Sequence, residues 1–139
     1  MRTINKIIIH CTATAEGKNH TVDEIRRWHV DGEGWNDIGY HFVIYLDGSI
    51  HLGRKLERAG AHTYSHNTNS IGIVYVGGCA ADGKTPKDTR TPEQKRALLS
   101  LVKELKHQYP DATIHGHREF AKKACPSFDV QKWLKEVGL

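Results

Sequence analysis

The chain has 139 residues, 38% hydrophobic and 26% charged with only 4 prolines, which places it among folded globular domains and away from disordered or collagen-like chains. Its 20 Lys and Arg against 16 Asp and Glu give a formal charge of +4, spread among acids as between Lys84 and Arg96, and no Arg-rich helix or RNA-binding aromatic motif accompanies it, so no nucleic-acid partner is expected. Three cysteines, Cys11, Cys79 and Cys125, without a CxxC pair suit neither a disulfide framework nor a structural zinc knuckle. A chain of this length buries a core without such staples, so any metal it holds is free to be catalytic. The start, Met1 to His10, has only the apolar run Ile7-Ile8-Ile9, short of a secretory signal, and no later stretch approaches the roughly 18 apolar residues of a membrane span. The expectation is one soluble domain over residues 1–139, monomeric, not inserted in a membrane and cytoplasmic on synthesis.

In chain order, Lys6 to His10 carries three consecutive β-branched residues, the pattern of a short strand buried on both faces of a sheet. Thr21-Val22-Asp23-Glu24 is a capping box that opens a helix, with Val22, Ile25 and Trp28 or His29 as its apolar stripe and Gly32 and Gly34 as its stop. Tyr40 to Leu46 reads as a strand leading into Asp47-Gly48, a two-residue hairpin signal, with Ser49 to Leu52 returning. Ser70 to Val76 reads as another buried strand. The polar stretch from Gly77 to Arg90 that follows reads as a long loop, either functional or a surface excursion. Thr91, Pro92 and Gln94 form a complete helix start, and Ala97, Leu98, Leu101, Val102 and Leu105 mark its core face before Pro110 ends it. Ala112 to His115 then reads as a short strand, and Val130, Trp133, Leu134 and Val137 as a final helix. This order implies an α/β single domain with a central mixed β-sheet flanked by about three α-helices.

Ten histidines are too many for each to be a ligand, so position must choose among them. His10 and His115 end predicted strands and His117 lies just beyond the second, eight residues before Cys125. Two imidazoles and a thiolate would meet the need of a catalytic zinc for three protein ligands and one open position, although no regular spacing forces this pair of segments together. Cys11 adjoins His10, but neighbouring strand residues face opposite ways, so Cys11 reads as a buried thiol, while Cys79, which follows Gly77-Gly78 without a recognisable partner, reads as a small packing residue.

Four ordered motifs go further. Ile9-His10-Cys11-Thr12-Ala13-Thr14, Gly39-Tyr40-His41-Phe42, Asn69-Ser70-Ile71-Gly72 and Lys123-Ala124-Cys125-Pro126-Ser127-Phe128-Asp129 resemble the type 2 N-acetylmuramoyl-L-alanine amidases, and within that superfamily the bacteriophage amidase lysozymes, relatives of the peptidoglycan recognition proteins. The likeness runs from Ile7 to about Trp133. It implies one catalytic Zn2+ held by His10, His117 and Cys125, with catalytic roles for Tyr40 and Lys123 and a substrate contact at His62. On pattern alone Tyr40 would be a strand aromatic and Lys123 a solvated lysine. The spacing of the family selects His117 over His115, while His41, on the opposite strand face from Tyr40, reads as structural. The implied activity is zinc-dependent hydrolysis of the amide between N-acetylmuramic acid and L-alanine, with peptidoglycan or a muropeptide as partner, in a lytic enzyme of phage or prophage type that acts on the wall after release, or in a cytoplasmic enzyme acting on recycled wall fragments. A non-catalytic peptidoglycan-binding module on the same fold is the alternative.

Overall fold

The structure is a computed structural model describing residues 2–139. In chain order it contains β1 (Lys6–Cys11), β2 (Thr14–Ala15), α1 (Val22–Arg27), β3 (Phe42–Ile44), β4 (Ile50–Leu52), β5 (Ser70–Tyr75), β6 (Gly78–Cys79), α2 (Pro92–Gln108), β7 (Thr113–Gly116) and α3 (Val130–Val137). The main sheet has the order β4-β3-β5-β1-β7, with β3 and β4 antiparallel and every other pairing parallel. It is the mixed sheet with three helices that the pattern implies. The three isoleucines of β1 are fully buried because this strand lies between two parallel neighbours and under cover on both faces.

Strand alternation sorts the two faces. Ile7, Ile9 and Cys11 of β1 join Ile71, Ile73 and Tyr75 of β5 in a core closed by Leu98, Leu101, Val102 and Leu105 of α2 and Val130, Trp133 and Leu134 of α3. On the opposite face, Val43, Val74 and Val76 pack with Ile25 of α1 and with Ile38. His10 belongs to this second face, whose cover ends short of the carboxyl edge of the strands.

Both expected helix starts form. The Thr21 and Thr91 hydroxyls accept from Glu24 and Gln94 amides at 3.2 and 3.0 Å, and the Glu24 and Gln94 side chains accept in return from the two cap amides. Gln94 is buried, and its Nε2 also donates to the Val76 and Ile44 carbonyls at 3.0 and 3.3 Å, pinning α2 to the ends of two strands. Past α1 the chain continues into a π-helical turn, Trp28–Gly32, and Gly34 leaves it with φ +73°.

Three local expectations are corrected. The Tyr40 to Leu46 strand shortens to Phe42–Ile44, because the carbonyls of Tyr40 and His41 bond to Arg54 and Gly53 outside the regular ladder. The hairpin has a three-residue loop, not two: Tyr45 and Ser49 close it, Gly48 N–H donates to Tyr45 O at 2.9 Å, and Gly48 takes the left-handed conformation at φ +84° that this loop length requires. The stretch from Gly77 to Arg90 is also less open than a plain loop. Its first residues pair as β6 with β2, and Asp82 Oδ1 accepts from the Lys84 and Thr85 amides at 2.8 Å. Among the described residues no helix is long and apolar enough to cross a membrane.

Candidate metal centre and cleft

Because β1 and β7 run parallel with Ile9 opposite Gly116, the residues that follow, His10 and His117, meet at the carboxyl ends of the strands. Their ring centroids lie 4.6 Å apart. This is the edge at which open α/β sheets place ligands. Cys125 reaches the same point from the segment before α3, which is anchored by Arg118 N–H donating to Cys125 O at 2.8 Å and by Ser127 Oγ donating to Gly78 O at 2.8 Å. The ligating atoms of His10, His117 and Cys125 all lie within 4.8 Å of one another. Two imidazoles and one thiol form a donor set suited to a borderline-soft dication such as zinc, with a position left open. His10 turns Nδ1 towards Cys125 Sγ, 3.8 Å away, so Nδ1 is its nitrogen on the donor side.

Electrostatics favours ligand-competent imidazoles. Burial holds His10 well below the ordinary histidine range, reinforced by His62, His117 and Lys123; burial and then Lys123 lower His117. Both rings are therefore neutral at pH 7, with lone pairs to offer. The contact with Cys11 and burial together push the Cys125 thiol up, since two adjoining sulfurs resist ionising together. Coordination reverses that preference, as a ligating thiol is deprotonated outright. The Cys11 N–H donates to Cys125 Sγ at 3.2 Å, a contact fitted to a sulfur bearing negative charge.

Tyr40 packs its ring 5.1 Å from that of His10. Burial raises its phenol well above the ordinary value, with the Cys125 and Cys11 sulfurs adding to the effect. It is a hydrogen-bond donor at neutral pH, not a base. Lys123 is exposed and, with Trp35, His62, Asn67, His117 and Phe120, lines a cleft of about 460 Å³ beside the cluster. His62, expected at the substrate, reaches this cleft but is only 9% exposed, and its Nδ1 lies 2.9 Å from His10 Nε2.

The remaining candidates fall elsewhere. His115 has both ring nitrogens engaged, Nδ1 with Glu119 Oε1 at 2.8 Å and Nε2 with Thr113 Oγ1 at 2.7 Å. The Cys11 sulfur lies on the core face, 3.8 Å from Ser127 Oγ, and Cys79 is buried. His41 is buried and holds β5, its Nδ1 accepting from Gly72 N–H at 3.0 Å. Sequence reasoning missed His29 as more than a packing residue: its Nδ1 accepts from Gly39 N–H at 2.9 Å, and its ring lies 4.7 Å from Trp35 and 5.5 Å from Tyr40. No periodicity marks such a contact, because it depends on the π-helical turn.

A mixed sheet thus carries at its carboxyl edge a His-His-Cys cluster able to hold a metal ion, beside a cleft lined by His117 and Lys123. The family model for N-acetylmuramoyl-L-alanine amidase matches residues 1–128. The endolysin of Klebsiella phage KP32 is 44% identical over 135 residues, covering 97% of this chain and 88% of its own. Among solved structures, the N-acetylmuramoyl-L-alanine amidase LysC from Clostridium intestinale URNW superposes with a TM-score of 0.83 at 27% identity, covering 99% of this chain and 87% of that one. The bumblebee recognition protein PGRP-SA does so with a TM-score of 0.79 at 30% identity, covering 97% and 82%. The chain belongs to the N-acetylmuramoyl-L-alanine amidase family and is a peptidoglycan-lytic amidase.

Proposed function

We propose that a single zinc ion held by His10, His117 and Cys125 serves cleavage of the amide joining the lactyl group of N-acetylmuramic acid to the L-alanine of the stem peptide, and that the enzyme acts as a lysin on the cell wall. The observation that carries this reading is the convergence of three zinc-type donor atoms within 4.8 Å beside a cleft that His117 and Lys123 line. Bound there, zinc would supply Lewis acidity and lower the pKa of a bound water to near neutrality.

The chain's own groups supply the rest. Tyr40, kept as a phenol, donates a hydrogen bond to the attacking water and so orients it. Lys123, an ammonium at the cleft rim, stabilises the oxyanion as the carbonyl becomes tetrahedral. Trp35 and Phe120 provide apolar walls along which the substrate can lie.

Purified peptidoglycan incubated with the enzyme should release stem peptides bearing a free L-alanine amine. The release should stop with a chelator and return with zinc. Binding of the wall without any release, under zinc-replete conditions, would establish a recognition module in place of an active amidase. Mass spectrometry of products from intact wall and from small muropeptides identifies the bond and the substrate size together.

A further inference from the structure

The His62 ring occupies a slot that two glycines keep open. A Cβ added at Gly72 of β5 would meet His62 Cδ2 at 2.5 Å, and one added at Gly60 would meet the same atom at 2.6 Å. The loop that carries His62 is fixed by Asn67, whose Oδ1 accepts from the His62 and Thr63 amides at 2.9 Å each. Within the slot, His62 Nδ1 faces His10 Nε2 at 2.9 Å, and His62 Nε2 faces the buried Ser70 Oγ at 3.3 Å. Thr63 Oγ1 lies beside both nitrogens, 2.9 Å from His62 Nδ1 and 3.3 Å from His10 Nε2.

At most one proton fits between two imidazole nitrogens in contact, so a direct hydrogen bond between them has two arrangements. If His62 Nδ1 holds that proton, His10 Nε2 must accept it, and a neutral His10 then carries its own proton on Nδ1, the nitrogen facing Cys125. That tautomer cannot ligate a metal from the donor side. If His10 Nε2 holds the proton, Nδ1 keeps its lone pair for the metal, and His62 places its own proton on Nε2, where Ser70 Oγ accepts it. In this second arrangement each of the four ring nitrogens has a partner once a metal takes Nδ1 of His10.

Resting on the zinc-site reading above, we infer that His62 is a positioning residue: it accepts the His10 Nε2 proton, and by doing so fixes the tautomer and ring angle with which His10 offers Nδ1 to the metal. A partner of this kind is worth roughly 10- to 100-fold in metal affinity. The two glycines, the Asn67 clamp and the Ser70 acceptor are explained together as the mould for one ring orientation.

Zinc affinity, measured by competition with a chromophoric chelator, should fall roughly 10- to 100-fold in His62→Ala and recover in His62→Asn, whose Oδ1 can stand where Nδ1 stood. The absorption spectrum of the cobalt-loaded protein should shift in His62→Ala and return towards wild type in His62→Asn. Independently of any variant, long-range 1H–15N spectra of the zinc-loaded wild-type protein should show His10 protonated at Nε2 and His62 protonated at Nε2 alone. A proton on His62 Nδ1 overturns the inference, as does a His62→Ala affinity within about twofold of wild type. In either case wild-type binding of a single zinc leaves the site reading standing. A wild-type protein that binds no zinc removes both.

Discussion

Cys125 is the residue on which the metal assignment turns most sharply, since a thiolate contributes charge that a hydroxyl cannot. Cys125→Ser should lose most of its zinc affinity in a chelator competition, whereas His115→Ala should keep wild-type stoichiometry, because both His115 nitrogens are already engaged by Thr113 and Glu119. The reverse pattern would reassign the site. Lys123 can be separated from the ligands in the same way. Lys123→Ala should retain zinc while its turnover number drops by roughly 100- to 1,000-fold, the usual loss on removing an oxyanion donor. Loss of zinc along with turnover would make Lys123 structural instead. The residues of this site were legible in the sequence only to the depth of the motifs. His10, His117 and Cys125 could be named because their side chains carry the chemistry, but the Cys11 amide on Cys125 Sγ and the His62 nitrogen behind His10 are products of register and loop path, which residue types do not encode.

At the scale of elements, the helix starts were the most legible feature because capping is local chemistry: Thr21 and Thr91 satisfy amides only three residues away. What they do besides is not local. Thr91 Oγ also donates to Leu46 O at 2.7 Å, and Gln94 Nε2 serves two strand-end carbonyls. Thr91→Ala should therefore lower the unfolding free energy by about 2 kcal/mol, at the upper end of a cap deletion. Gln94→Ala, which leaves the buried Val76 carbonyl without its donor while Ile44 O keeps the Val76 amide, should cost about 1–3 kcal/mol. Urea unfolding of the two variants checks both figures, and a loss below half a kcal/mol at Gln94 would show that water replaces its amide. The strands were less legible at their ends. The aromatic and β-branched run from Tyr40 implied seven paired residues, yet the strand begins at Phe42, because the ladder there yields to the bonds that Gly53 and Arg54 make with the two residues before it. Those bonds also set Tyr40 beside His10, so the place where the pattern fails is part of the site.

For the molecule as a whole, composition revealed ten histidines but not which of them fold into the interior as neutral rings. His10, His29, His41, His62 and His117 are all lowered chiefly by burial, so folding competes with protonation at five positions. His41 allows the sign and size to be worked out away from the metal cluster. Burial, then the charges of Arg2 and Arg54, bring it to about 4 from an ordinary 6.5, against a raising contribution from its bond to the Arg58 carbonyl. Above pH 6.5 the ring is neutral in both folded and unfolded chains, and its hydrogen bonds to Gly72 and Arg58 stabilise the fold in full. As pH falls below 6.5, the unfolded chain takes up a proton that the folded chain refuses, and stability declines until about pH 4, where the folded ring protonates as well. A gap of this size corresponds to roughly 3 kcal/mol. His41→Asn keeps an acceptor for the Gly72 amide without a titrating ring. Urea unfolding of the zinc-free protein at intervals from pH 7 to about 4.5 should show wild type losing more stability than His41→Asn, with the difference opening below pH 6.5. Parallel losses in the two proteins would assign the acid sensitivity to the other four rings, and a difference that opened on raising the pH would mean that His41 folds as a cation.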